Sequence, residues 1–156
     1  MGWPKVNIDD VWHPQSSIGG IGAMVCDSGG DFVAGCALSI PNIFFATLGE
    51  ALAARMGVSL AVDMGFMNVS FESDALQIVS ALRSQSMDQF FLGSIVKDTK
   101  TLLTQITRED FTYIHRKGNS VAYHVVKFAT DIGNFVSWFE KPLNFIVDLL
   151  FEDCNL

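Results

Sequence analysis

Residues 5–38 read KVNIDDVWHPQSSIGGIGAMVCDSGGDFVAGCAL, and the spacing of turn residues inside this stretch decides the fold class. Lys5 to Asp9 alternates apolar and polar side chains, the period of a half-buried strand. Ile18 to Cys26 is glycine-rich but β-like, Asp27-Ser28-Gly29-Gly30-Asp31 carries the turn residues of a hairpin, and Phe32 to Leu38 follows as a third strand. Three consecutive strands with short connections make an antiparallel meander. Gly19, Gly20 and Gly22 do not form a phosphate loop, because no helix follows them and no Lys-Ser or Lys-Thr closes one. Close backbone approach within a strand is the better account of them.

Beyond the meander the pattern changes from strands to alternating helices and strands. Thr47 to Met64 reads as a helix covered on most sides and ended by Gly65; Asn68 to Glu72 is a buried strand. Asp74 to Leu82 is a second helix with Ala75, Ile78, Val79 and Leu82 on one face, which completes a crossover of the βαβ type. Met87 to Gly93 reads as a loop, and Ile95, Thr99, Leu102, Leu103 and Ile106 mark a third amphipathic helix. Phe111 to His115 is the last strand, Arg116 to Asn119 a turn, and a helix starts at Ser120 with Asn119 or Ser120 as its cap. Its apolar face is Val121, Ala122, Val125, Phe128, Ala129 and Ile132. The closing segment Trp138 to Leu150 is expected to dock, since Phe145, Leu149 and Leu150 would be costly to leave in water. The order β-β-β-α-β-α-α-β-α is an α/β class with a mixed sheet flanked by helices. The 156 residues suit one domain, with a core over about 5–133 and a tail over 134–156.

A formal net charge of −7 and a pI near 4.7 work against approach to phosphates, which rests on Lys and Arg. Lys97 with Lys100, and Arg116 with Lys117, are nevertheless grouped closely enough to keep a small basic face on an acidic body. Hydrophobic residues make up 49% and charged residues 17%, leaving apolar surface for a partner or a second copy; Phe44-Phe45 and Phe90-Phe91 point the same way. The uncharged run from Phe32 to Gly49 is broken by Pro41 and Asn42 and is a poor membrane span. No secretory pattern opens the chain, so an intracellular protein is expected, with no targeting run to choose nucleus or cytoplasm. Cys26, Cys36 and Cys154 are odd in number and lack metal-ligand spacing, so neither a disulfide nor a zinc site is expected; Cys26 and Cys36 read as small core residues.

Asp9, Glu50 and Asp74 each fall at an element boundary, where side chains from separate segments can converge. Hard oxygen ligands of this kind suit magnesium, and two such ions about 3.5–4 Å apart clamp the attacking and leaving oxygens of a phosphodiester. Taken singly, Glu50 and Asp74 could instead favour helix N-termini, and Asp9 could simply end a strand.

KVNIDDV, LGEALAAR, SFESDA and HRKGNSVAYHV, in this order and at these intervals, resemble the four signature blocks of the plant ribonuclease H-like domain related to retrotransposon reverse transcriptases. The likeness runs from Lys5 to about Leu150. It implies a five-stranded ribonuclease H fold with strand order 3-2-1-4-5, metal-dependent hydrolysis of RNA–DNA hybrids, and Mg2+ or Mn2+ as cofactor. It further implies that Asp9 bridges two ions, that Glu50 and Asp74 complete one ion's shell, and that Asn119, Arg116 and Lys117 lie near substrate. The family's fourth acid follows that Asn by four residues, and the residue here is Tyr123.

A phenol, neutral at pH 7, is a weak replacement for a carboxylate. The resemblance implies that the missing ligand belongs to the ion that activates water, so one well-bound ion and weak or absent hydrolysis are expected. His124 is one residue further along a helix, about 100° away, and does not substitute. Asp10 stands where the family has glycine, and strand alternation points it to the opposite face as a solvated acid. Two readings stay open: an impaired hybrid ribonuclease, or a degenerate module that binds nucleic acid, a protein partner or a second copy.

Overall fold

The computed structural model describes residues 2–84, 92–148 and 150. The meander appears as β1 (Lys5–His13), β2 (Ile18–Cys26) and β3 (Phe32–Ile40). It is followed by α1 (Ala46–Asp63), β4 (Asn68–Ser73), α2 (Leu76–Arg83), α3 (Gly93–Leu103), β5 (Arg108–Tyr113), a 3-10 turn (Arg116–Asn119) and α4 (Ser120–Ile132). A sixth strand, β6 (Phe135–Phe139), and a short 3-10 turn (Asn144–Ile146) follow. The sheet order is β5-β4-β1-β2-β3-β6, so the expected five-strand order is present with one strand added beside β3. β1 pairs antiparallel with β2 and parallel with β4, which makes it the central seam of the mixed sheet.

Two apolar layers hold helices to the two faces. On one face Val6, Ile8, Ile21, Ala23 and Val25 meet Ala54, Val58 and Ala61 of α1, with Ile78, Val79 and Leu103 from α2 and α3. On the other, Met24, Cys26 and Ala37 meet Val121, Val125 and Ala129 of α4, and Ile146 and Leu150 of the tail join them. Phe145 is half-exposed against the Phe128 ring, and Ile146 is fully buried. Phe90, Phe91 and Leu149, and most of the expected 87–93 loop, lie outside the described residues.

Gly20 and Gly22 explain the glycine-rich strand. A Cβ on Gly20 would collide with the Thr130 hydroxyl and stand 2.9 Å from Val126 Cγ1, and one on Gly22 would stand 2.6 Å from Val126 Cγ2. α4 therefore packs directly on the β2 backbone. Gly20→Ala is expected to lower stability by about 2 kcal/mol, because a tightly packed site resists added volume; urea unfolding measures it, and an unchanged midpoint would refute the packing account.

Four expectations need correction. β5 starts at Arg108, three residues early, because its register is fixed by pairing with β4 (Asn68 opposite Arg108, Phe71 opposite Phe111) and by the stacked Phe71 and Phe111 rings, 4.6 Å apart. Residues 135–139 form a strand because Ala34 to Leu38 of β3 offers a free edge and Trp138 packs over Gly35, whose missing side chain leaves room. Neither Asn119 nor Ser120 caps α4 through its side chain. Cys26 is disulfide-bonded, its partner outside the described residues, whereas Cys36 is free and buried; sequence spacing carries no information about such a pairing. Among the described residues no helix is long and apolar enough to cross a membrane.

Candidate functional site

Strand register places the acids. Asp9 lies opposite Gly22 and so faces α4, while Asp10 lies opposite Ile21 and faces α1. Glu50 begins the second turn of α1, and Asp74 directly follows β4, the parallel neighbour of β1. No acid occupies the first turn of α1 or α2, which weakens the reading of Glu50 and Asp74 as helix-terminus charges.

Asp9 is only 3% exposed. Its Oδ1 accepts the Asp10 backbone N–H at 2.9 Å, and its Oδ2 is buried with no hydrogen-bond partner among the described residues. Burial first, then the charges of Asp74 and Asp10, push its carboxyl up to about 8, against the opposing pull of the Asp10 N–H and Arg116. Asp10 is pushed up to about 7 by burial, then by Glu50 and Asp74. Glu50 is also raised, by burial and then by Asp74. Asp74 thus acts on Asp9, Asp10 and Glu50, while Asp10 acts on Asp9 and is itself raised by Glu50.

Asp10 is the functional candidate that sequence reasoning missed. Alternation gave its face correctly, but it is half-buried rather than solvated. The reason is Gly49, where a Cβ would come within 2.5 Å of Asp10 Oδ2, so the acid tucks against α1 one residue from Glu50. The Gly49-Glu50 pair was the available signal.

Arg116 supplies the opposing charge. Its Nε stands 3.4 Å from Asp74 Oδ2, with side-chain exposures of 77% for Arg116 and 16% for Asp74. Burial lowers its basicity, yet the hydrogen bond and charge of Asp74, with Asp9 and Tyr123 behind them, hold the guanidinium above its ordinary value. Tyr123 is half-buried in the first turn of α4 and meets the His124 ring edge-on at 5.4 Å. His124 is exposed, with Nδ1 2.8 Å from the Ser120 carbonyl. Lys117 is exposed.

Asn119 is 1% exposed and serves the scaffold. Its Nδ2 donates to the Ile8 carbonyl at 2.7 Å and its Oδ1 accepts from Asn7 Nδ2 at 3.2 Å, tying the turn before α4 to β1 beside Asp9. Asn119→Ala is expected to cost about 2 kcal/mol, because it strands a buried carbonyl and takes one of two acceptors from the Asn7 amide, which keeps Glu72. Thermal unfolding reads this, and a shift of under a degree would count against the tie.

Among the described residues no three His, Cys, Asp or Glu side chains are placed so as to hold a metal ion. The donor chemistry nonetheless fits a hard divalent cation: every acid offers oxygen, and a buried carboxylate oxygen without a partner is what a cation would satisfy.

The family model described as reverse transcriptase-like matches residues 7–129. Among solved structures, the N-terminal ribonuclease H domain of a Mycobacterium tuberculosis protein is similar over 83% of this chain and 95% of its own, with 20% identity and a TM-score of 0.71. Ribonuclease H1 of the halophilic archaeon Halobacterium salinarum is similar over 84% and 99%, with 19% identity and a TM-score of 0.73. LC11-RNase H1, solved in complex with an RNA/DNA hybrid, is similar over 83% and 97%, with 17% identity and a TM-score of 0.71. At these identities the likeness shows the fold. No curated protein matches the sequence.

Proposed function

Because the chain belongs to the reverse transcriptase-like family, whose model spans residues 7–129, we propose that it is a ribonuclease H-like module that engages RNA–DNA hybrids with a divalent cation. Hydrolysis is weak or absent in this reading. The observation that carries it is Asp9: a buried carboxylate with an unpartnered oxygen, crowded by Asp74 and Asp10. Burying a carboxylate with one oxygen left unpartnered is unfavourable, so a ligand is the simplest reason to keep it.

Asp9, Glu50 and Asp74 would hold the ion, Mg2+ or Mn2+. When bound, such an ion supplies Lewis-acid stabilisation of charge on a phosphate oxygen. Arg116 and Lys117, exposed on the turn before α4, meet the phosphate backbone, and Asn119 holds that turn in place. An A-form-like hybrid is read by shape and 2′-hydroxyls rather than by base edges, which suits so few basic groups. Tyr123 stands where the family pattern has an acid, which is why slow chemistry is proposed.

The test is a labelled hybrid incubated with the protein in Mg2+ and in Mn2+, alongside Asp9→Asn. Binding that depends on the cation and is lost in Asp9→Asn supports the reading; tight binding indifferent to both overturns it. A second reading, self-association, is favoured by Phe135 and Phe139, exposed on the edge strand β6. Light scattering decides it, since a monomer at every concentration would rule it out.

A further inference from the structure

The backbone around Arg116 is anchored while its head faces solvent. Asn119 bonds the Ile8 carbonyl at 2.7 Å, the Gly118 N–H bonds the His115 carbonyl at 2.9 Å, and the intervening turn is thereby fixed beside Asp9. From that base the guanidinium reaches Asp74 Oδ2 at 3.4 Å, and its charge is felt by Asp9, Asp10 and Glu50 alike. One cation on an anchored turn therefore partly offsets the charge of the whole acidic group, through a carboxylate that belongs to the proposed ion site.

We propose that Arg116 is a tethered counter-cation of this site: it holds the Asp74 carboxylate until a divalent ion displaces it, and its freed guanidinium then meets a phosphate of the nucleic acid. The inference rests on the cation site proposed above. A guanidinium held on Asp74 Oδ2 and a divalent ion on the same carboxylate repel each other, so each weakens the hold of the other. An ion pair this exposed contributes little net stability, so it yields to a doubly charged competitor. Swung outward, the planar fork suits a phosphate, which it can bind through two hydrogen bonds.

The experiment is a titration of the full chain with Mn2+ alone, without nucleic acid, read by the electron paramagnetic resonance signal of free Mn2+. Arg116→Gln is expected to bind Mn2+ about fivefold more tightly than wild type, the effect of removing one nearby partly screened charge. Lys117→Gln removes the same formal charge one residue away and is the control, expected to shift affinity by less than about twofold. If wild type binds Mn2+ and Arg116→Gln binds no tighter, or if Lys117→Gln gains as much, the tethered counter-cation is overturned and the cation site stands. If neither wild type nor Arg116→Gln binds Mn2+, the cation site itself fails and the inference falls with it.

Discussion

Tyr123→Asp is expected to raise cleavage of an RNA–DNA hybrid in Mg2+ by on the order of a hundredfold, equivalent to about 2.7 kcal/mol of transition-state stabilisation. Tyr123 sits in the first turn of α4, half-buried and close enough to Arg116 for the two to interact. A carboxylate there would add an acid to the group formed by Asp9, Asp10, Glu50 and Asp74. It also lies at a helix N-terminus, where negative charge is favourable, so the substitution should not unfold the protein. Initial rates with a labelled hybrid, with Asp9→Asn in the same background as the control, measure the gain. A folded Tyr123→Asp protein no faster than wild type would mean that the phenol is not what limits the chemistry.

Asp9→Asn is expected to do the opposite to activity and to increase stability. Burial and neighbouring acids raise the Asp9 carboxyl from an ordinary 3.8 to about 8. Between those values the folded chain holds a proton that the unfolded chain has released, so folding is favoured by lowering the pH. Above about 8 both states are ionised and the full cost of the buried charge is felt. Wild type should therefore gain stability as the pH falls from 8 toward 5, with Asp10, raised to about 7, adding to the trend.

Asparagine keeps an oxygen for the Asp10 N–H and removes the charge. At pH 8 the variant should exceed wild type by a few kcal/mol, and the gap should close toward pH 4. Urea unfolding at three pH values measures this. Mg2+ should then stabilise wild type and leave the variant unchanged, because only a ligand of the folded state shifts the equilibrium. An Asp9→Asn protein less stable than wild type at pH 8 would show that the carboxylate holds the fold together rather than straining it.

Most of the sheet was legible because its signals are local. The turn at Asp27 to Asp31 closes on itself, with Asp27 Oδ1 accepting the Gly29 and Asp31 N–H groups at 2.8 and 2.9 Å, and Gly65 ends α1 with a positive φ of 73°. β6 was not legible. Its partner strand begins about a hundred residues earlier, and five residues of FVSWF inside an apolar tail look the same paired or packed. The start of β5 was hidden by the exposed, charged run Arg108-Glu109-Asp110, whose strand geometry comes from β4 rather than from its own composition.

The candidate site divides in the same way. Residue types and intervals marked Asp9, Glu50 and Asp74 as acids near element ends; the charge of Asp74 is felt by both Asp9 and Glu50, while among the described residues no three acids are placed so as to hold a metal ion. The environment of Asp10 depends on what α1 lacks at Gly49, a feature of three-dimensional packing. Arg116 read as a basic residue on a turn and, through the resemblance, as one near substrate; only its distance to Asp74 shows that the exposed guanidinium also acts as a counter-charge.

The two glycines on β2 that admit α4 act as a depth stop. Because Val126 and Thr130 rest on bare backbone, the height of the helix above the sheet is set at positions 20 and 22, about a hundred residues before the tyrosine it carries. Added bulk at either glycine would lift the far end of α4 and tilt Tyr123 relative to Asp9. The outcome of Tyr123→Asp and the retention of those glycines are therefore linked: an acid placed at position 123 meets the Asp9 region only on a helix that still sits at this depth.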